Sequence, residues 1–492
     1  MTPNYWCTWA TQAMTAKQRA ASGELAFDGD QGANALTGRN NLDEKAVFGE
    51  NGWIHDFPEI RKNMFFLFDD GWDVPRNRTV QMCEFGSLEL NQERFPSFPG
   101  SPAERLKALA EKVRSCGWGG TGIWIAAQYP VQNPEQYGSW RGAEAFWRER
   151  LKWSRDAGIS LWKVDWGQFC SDVSFREFLT ELAAEIAPEL VVEHAMPSGA
   201  LCGNGTDGLR FRDLPLCGKT RELLHFSKLL RTYDTIIPHT FATTLDRTDA
   251  LLAYGTEIHS PTMLCVEDCA YIAAGLGCSM GIMRSARWEE GPADALMQRR
   301  KRVAEVVRAV RFQQLAPAWD MRTGSYEASR EILSESWVYT AGETWYSPVF
   351  GKTVTQSAPA VMARNMPLPE VETTGRTPYV QASLYPNGVA AVNLVPRLTP
   401  DIGFEAPDAA VTLKIDCRNR KTGVFGNFGE LRLPVGEGSF RIVGRDLAKD
   451  EERDLSSLCR TEHGFAVVPG TVAEILCGRE ISAPGILLEV RA

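Results

Sequence analysis

Short segments of this chain set carboxylates beside aromatic or basic residues at spacings that suit catalysis. They are Phe68-Asp69-Asp70-Gly71-Trp72, Lys163-Val164-Asp165-Trp166, Glu193-His194, Arg231-Thr232-Tyr233-Asp234 and Arg210-Phe211-Arg212-Asp213. Burying several carboxylates together is unfavourable unless each finds donors or a task, because desolvation and mutual repulsion both oppose ionisation. A sugar site supplies both. Pyranose hydroxyls donate to carboxylates, aromatic rings pack on the apolar sugar face, and one pair of acids performs the nucleophilic and acid/base steps. Metal chemistry fits less well because the 6 histidines show no paired ligand spacing. Phosphate chemistry lacks its Gly-x-x-x-x-Gly-Lys loop.

Lys163 and Asp165 are two positions apart, so on a strand they face the same side. A lysine there favours an ionised Asp165, which is what a nucleophile must be. Each signal also has a structural reading. Asp69-Asp70-Gly71 suits a turn, Asp165 suits an N-cap or an ion pair with Lys163, and Trp9, Trp72, Trp124 and Trp166 suit a core. His194 reads better as a hydrogen-bonding pocket or core residue than as a metal ligand. The conjunction of the segments favours the sugar site.

These residues need elements that bring them to one place. Up to about residue 320, short β-prone runs alternate with helical patterns, the signature of βα units and a parallel sheet. The strands expected are Tyr5 to Ala10, Met64 to Phe68, Gly122 to Ala127, Ser160 to Val164, Leu190 to Glu193, Lys228 to Tyr233, Pro261 to Val266 and Ser279 to Met283. Between them, Leu106, Leu109, Ala110 and Val113 recur at helical spacing, as do Phe178, Leu179, Leu182 and Ile186, and a helix over Arg299 to Gln314 closes the set. Eight βα units predict a (β/α)8 barrel, whose reactive residues belong at the C-terminal ends of its strands. The acids fall there. After Pro317, β-rich runs such as Val389 to Leu394, Val411 to Ile415 and Ile486 to Val490 predict an antiparallel β-sandwich. The expected division is a catalytic barrel over residues 1–322 and a β domain over 323–492.

With 492 residues the chain exceeds one hydrophobic core, which agrees with two domains. A net charge of -9 gives no broad footprint for nucleic acid or an anionic membrane, and a neutral glycan suits it better. The 12 cysteines are scattered and read as reduced thiols. Met1 to Trp6 shows no basic region followed by an apolar stretch, so a cytoplasmic enzyme is expected. No apolar run approaches the ~20 residues that span a bilayer.

The residues then resemble the clan D α-galactosidases of glycoside hydrolase families 27 and 36. Trp6-Cys7-Thr8-Trp9 is similar to the Trp-x-x-Trp of that family's first strand. Phe68-Asp69-Asp70-Gly71-Trp72 is similar to its Asp-Asp-x-Trp, and Glu93 to Pro99 with the following helix to Cys116 and Gly122 to Ile125 looks like its Phe-Pro element before a helix and third strand. Lys163-Val164-Asp165 resembles its Lys-x-Asp. The resemblance implies a barrel with a C-terminal β domain and a retaining exo-α-glycosidase, foremost an α-galactosidase, acting on a terminal non-reducing sugar. Asp165 is then the nucleophile. Trp9, Asp69, Asp70, Trp72, Trp124, Lys163, Glu193, His194 and Arg231 bind the sugar. The acid/base follows an Arg by three or four positions, which selects Asp234, preferred because it follows Leu229-Leu230, with Asp213 as the alternative. No cofactor or metal is implied. The sequence leaves open an α-N-acetylgalactosaminidase or another clan member, a transglycosylase, a non-hydrolytic glycan-binding protein, a barrel enzyme of unrelated chemistry, and a homo-oligomer.

Overall fold

The structure is a computed structural model that describes residues 2–12, 15–16, 38–76, 81–195, 216–232, 241–283, 303–338, 353–399, 404–478 and 483–491. Asp213 and Asp234 lie outside the described residues. No helix among those described is long and apolar enough to cross a membrane.

Eight parallel strands close into a barrel in chain order: β1 Tyr5–Cys7, β2 Phe65–Phe68, β3 Gly120–Ile125, β4 Ile159–Val164, β5 Val191–His194, β6 Leu229–Arg231, β7 Met263–Glu267 and β8 Ser279–Ile282. Closure comes from β8 pairing with β1, Tyr5 lying opposite Gly281. A Cβ on Gly281 would lie 2.6 Å from the Tyr5 ring, so this glycine makes the room that the inward-facing tyrosine needs. All eight expected strands are present, with their ends displaced by three residues or fewer. The largest displacement is at β1, where residues 9–12 turn helical instead of continuing the strand.

Local sequence explains the covering helices. Helix α1, Pro102–Ser115, begins with proline inside a capping box in which Ser101 and Glu104 satisfy each other's backbone donors, and it buries Leu106, Leu109, Ala110 and Val113. Helix α2, Glu144–Ala157, stops at Gly158, whose φ of 72° is left-handed, and β4 starts at the next residue. Helix α3, Val173–Ile186, is capped by the Asp172 side chain on the Phe175 amide. Helices α4, Phe241–Glu257, α5, Ala270–Leu276, and α6, Val303–Leu315, complete the described part of the layer that meets the second domain.

The second domain packs an eight-stranded sheet on a five-stranded one. Most pairs are antiparallel, as expected, but Val361–Arg364 with Tyr379–Leu384, Ala390–Val395 with Lys421–Phe425, and Ala409–Thr412 with Glu430–Pro434 run parallel. Side-chain alternation sends Val380, Ala382, Val392, Leu394, Ile486 and Leu488 into the sandwich. The opposite face, with Tyr379, Tyr385, Ala391, Val395, Phe425 and Leu487, joins the barrel's core. Phe312 of α6 packs edge-on against Phe425 at 5.2 Å and Tyr385 at 5.5 Å.

One buried ion pair crosses this interface. Arg308 of α6 donates from Nε and Nη2 to the two oxygens of Asp446, at 2.8 and 2.9 Å, with both side chains 2% exposed. Removing one member strands the other charge, which costs about 3–5 kcal/mol, whereas apolar replacement of both is close to neutral. Thermal melting is therefore expected to show Asp446→Ala strongly destabilised and the Arg308→Met, Asp446→Leu pair largely restored. Equal loss in both variants would contradict this view of the interface.

Candidate active site

Period-two alternation decides which strand residues reach the barrel interior. On β4, Trp162 faces outward and donates from Nε1 to Ser154 Oγ of α2 at 3.0 Å, so Lys163 faces inward. Asp165 follows one residue beyond β4, and its amide still donates to Ile125 O at 3.0 Å, so the ladder fixes its backbone. Two further devices hold this turn. Gly167, with φ 145°, passes so close to Ala127 that a Cβ would lie 2.8 Å from its backbone. Arg176 of α3, fully buried, donates to the carbonyls of Val164, Asp165, Ala195 and Cys170 at 2.8 to 3.0 Å.

The Lys163 ammonium donates to Asp69 Oδ2 at 2.9 Å and stands 3.6 Å from Asp165 Oδ2. Trp124, inward on β3, donates from its indole N–H to the same Asp165 oxygen at 2.9 Å. Burial opposes the lysine's charge, but Asp69 and then Asp165 outweigh it, and the ammonium is held well above its ordinary pKa. Asp69 also accepts from Cys7 Sγ at 3.0 Å and from the Asp70 amide at 2.8 Å. The Cys7 thiol is pushed up by burial and by Asp69, so it serves as a neutral donor.

Asp70 meets Arg39, whose Nε and Nη2 donate to its two oxygens at 2.9 and 2.7 Å, and Trp166 Nε1 adds a third donor at 3.3 Å. Burial pushes the Asp70 carboxyl up and Arg39 only partly pulls it back. Phe85 packs on Trp166 at 5.1 Å, and Trp166 on Trp124 at the same distance, forming an aromatic wall. Trp9, half-buried, follows β1.

Deeper in the barrel, Glu193 faces inward beside Lys163 in register. Its Oε1 accepts from Tyr5 Oη at 2.8 Å and lies 4.0 Å from Arg231 Nη1, while Arg231 Nε donates to Glu267 at 3.1 Å. Burial raises the Glu193 pKa, against Arg231 and Tyr5.

Asp69, Asp70, Trp124, Lys163, Asp165, Glu193 and Arg231 thus converge on one end of the barrel. Two expected sugar contacts do not. His194 is adjacent to the inward Glu193 and must face the other way; it lies among Arg176 and Thr180 of α3 and Phe226, fully buried, and burial holds it far below its usual pKa and therefore neutral. Trp72 is also fully buried and spends its N–H on the Trp124 carbonyl at 2.9 Å, so it braces β3 and its ring is closed to ligand. Arg39, Arg176, Cys7, Tyr5 and Glu267 were not singled out from sequence. Only Glu267 carried a signal, its position directly after the expected seventh strand.

No family model matches the chain, and no curated protein matches it. Among solved structures the chain is similar to a GH27 β-L-arabinopyranosidase from Geobacillus stearothermophilus, at 10% identity and TM-score 0.44, over 99% of this chain and 96% of that one. A variant of that enzyme in complex with arabinose gives 9% identity and TM-score 0.41, over 99% and 97% of the chains. A candidate α-galactosidase/melibiase from Bacteroides fragilis gives 10% and 0.38, over 99% and 78%. The chemistry of the site follows from its own side chains.

Two outcomes follow from the electrostatics. Lys163→Met leaves Asp69 and Asp165 without their shared cation and is expected to cost about 3–5 kcal/mol in denaturation experiments, with the Asp69→Asn, Lys163→Met pair less than additive. Strict additivity would mean that the pair is not coupled. The second concerns Asp73, which accepts from the Leu88 amide at 3.2 Å and thereby braces the segment carrying Phe85. Burial raises its pKa from 3.8 to about 6. Between those values the folded state holds a proton that the unfolded state has lost, so stability falls as pH rises through the window. Asp73→Asn is expected to flatten that fall in melting temperature; an unchanged slope would remove Asp73 as its source.

Proposed function

We propose that this protein is a retaining exo-α-glycosidase, foremost an α-galactosidase, with Asp165 as nucleophile. The observation that carries the reading is the Lys163 ammonium set between Asp69 and Asp165, with the Trp124 N–H on the same Asp165 oxygen. A nearby cation and an N–H donor both favour the carboxylate form that nucleophilic attack requires. With its side chain 12% exposed, against 2% for Asp69 and 4% for Asp70, Asp165 is the most accessible of these three acids. That suits an acid that must touch an anomeric carbon.

In the first displacement an Asp165 oxygen forms a bond to the anomeric carbon while the bond to the leaving oxygen breaks. The general acid gives that oxygen its proton. In the second, the same group, now a base, takes a proton from water as water displaces Asp165, and two inversions restore the configuration. The sequence assigns the proton role to Asp234, with Asp213 as alternative. A retaining pair stands about 5–5.5 Å apart. Trp9 and Trp166, both half-buried, would pack on the ring, whereas Lys163, Arg231 and Trp124, expected to touch the sugar, are buried.

Aryl α- and β-glycosides of galactose, N-acetylgalactosamine, arabinopyranose and glucose test the reading. Turnover of an α-galactoside is expected, and Asp165→Asn should stay folded, because Asp69 still pairs with Lys163, while turnover falls about 10⁴-fold or more. An Asp165→Asn protein with wild-type activity would end the assignment.

A further inference from the structure

The acids at Asp69 and Asp70 were expected to accept sugar hydroxyls, yet the structure gives each of them other partners. A carboxylate offers about four acceptor positions. Asp69 fills three with Lys163, Cys7 and the Asp70 amide, and Asp70 fills three with Arg39 Nε, Arg39 Nη2 and Trp166 Nε1. Their side chains are 2% and 4% exposed, whereas that of Arg39 is 18% exposed. Of this pair the arginine is the more exposed member and the acid is nearly closed to solvent.

Arg39 is also held still. Its charge lies 4.9 Å from the Phe85 ring centroid and 5.5 Å from that of Trp166, and Asp70 grips its Nε and Nη2 edge. Among the described residues no acceptor meets Nη1. A fixed planar donor with unspent N–H groups recognises an oxygen lone pair. Asp69 and Asp70 are each balanced by one cation, and Asp165 adds a further negative charge, so a neutral hydroxyl suits this wall better than a uronate.

We propose that Arg39 is a specificity-determining residue that reads a hydroxyl of a neutral terminal pyranose as an acceptor, in place of the free carboxylates that would read it as a donor. This rests on the glycosidase reading. Fluorine in place of a hydroxyl keeps an acceptor and loses the donor, whereas hydrogen loses both, so the two modes are separable.

The probes are D-galactose and its 3-, 4- and 6-deoxy and deoxyfluoro forms, titrated into Asp165→Asn protein with tryptophan fluorescence as readout. At one position the deoxy sugar is expected to bind about 10- to 100-fold more weakly than galactose, the cost of a lost charge-assisted hydrogen bond. The fluoro sugar at that position should stay within about threefold. Adding Arg39→Ala should bring galactose down to the deoxy level, with Arg39→Lys between the two because it keeps charge and loses the fork. Equal loss for deoxy and fluoro forms at every position, an unchanged pattern in both Arg39 variants, or no galactose binding would overturn the proposal. Wild-type turnover of the aryl α-galactoside is measured alongside. Binding with the expected pattern but no turnover sinks the glycosidase reading alone, and turnover with equal loss at every position sinks the Arg39 proposal alone.

Discussion

A single ammonium buried between two carboxylates organises the C-terminal end of this barrel's strands. Lys163 is 2% exposed, and a charge so far from water persists only if opposite charge and hydrogen bonds replace the lost hydration. Asp69 and Asp165 supply that charge from neighbouring regions of the barrel. The arrangement works in both directions, because the lysine's positive charge offsets the repulsion between the two acids. Around this triad the other polar groups fall into graded pairs, Arg39 with Asp70 on one side and Arg231 with Glu193 and Glu267 below. Asp165 is left as the most accessible of these acids.

The backbone is built to keep that triad in place. Asp165 sits where β4 has just ended, tied to β3 by its amide and to α3 through Arg176, which gathers carbonyls from the ends of β4 and β5. Gly167 lets the chain turn against Ala127. The second domain contributes from the far side of the helical layer: one face of its large sheet completes the barrel's hydrophobic core, and Arg308 with Asp446 locks the contact.

Much of this was legible in the amino-acid order because barrels repeat a local rule. Each strand shows as a short apolar run, each helix as a 3.6-residue stripe, and residues two apart share a face, which pairs Lys163 with Asp165. The same rule, applied consistently, separates Glu193 from His194, since neighbours on a strand cannot both face inward. Trp72 was harder, because a tryptophan beside an acid pair looks alike whether its ring is open or its N–H is spent on a carbonyl. Arg39 and Arg176 left no sequence signal at all. Arg39 comes from the segment between β1 and β2 and Arg176 from inside an amphipathic helix, and their partners are set by tertiary contact. Asp69 and Asp70 were found at the right place but read as open acceptors, because a sequence does not show which cations will reach an acid.

The assignment of Asp165 is tested most directly by covalent trapping. A 2-deoxy-2-fluoro α-galactosyl donor with a good leaving group should inactivate the protein and leave a stable glycosyl ester, located by mass spectrometry of its peptides. Label is expected on the peptide that contains Lys163-Val164-Asp165. Label on a peptide lacking Asp165 would contradict its role as the nucleophile.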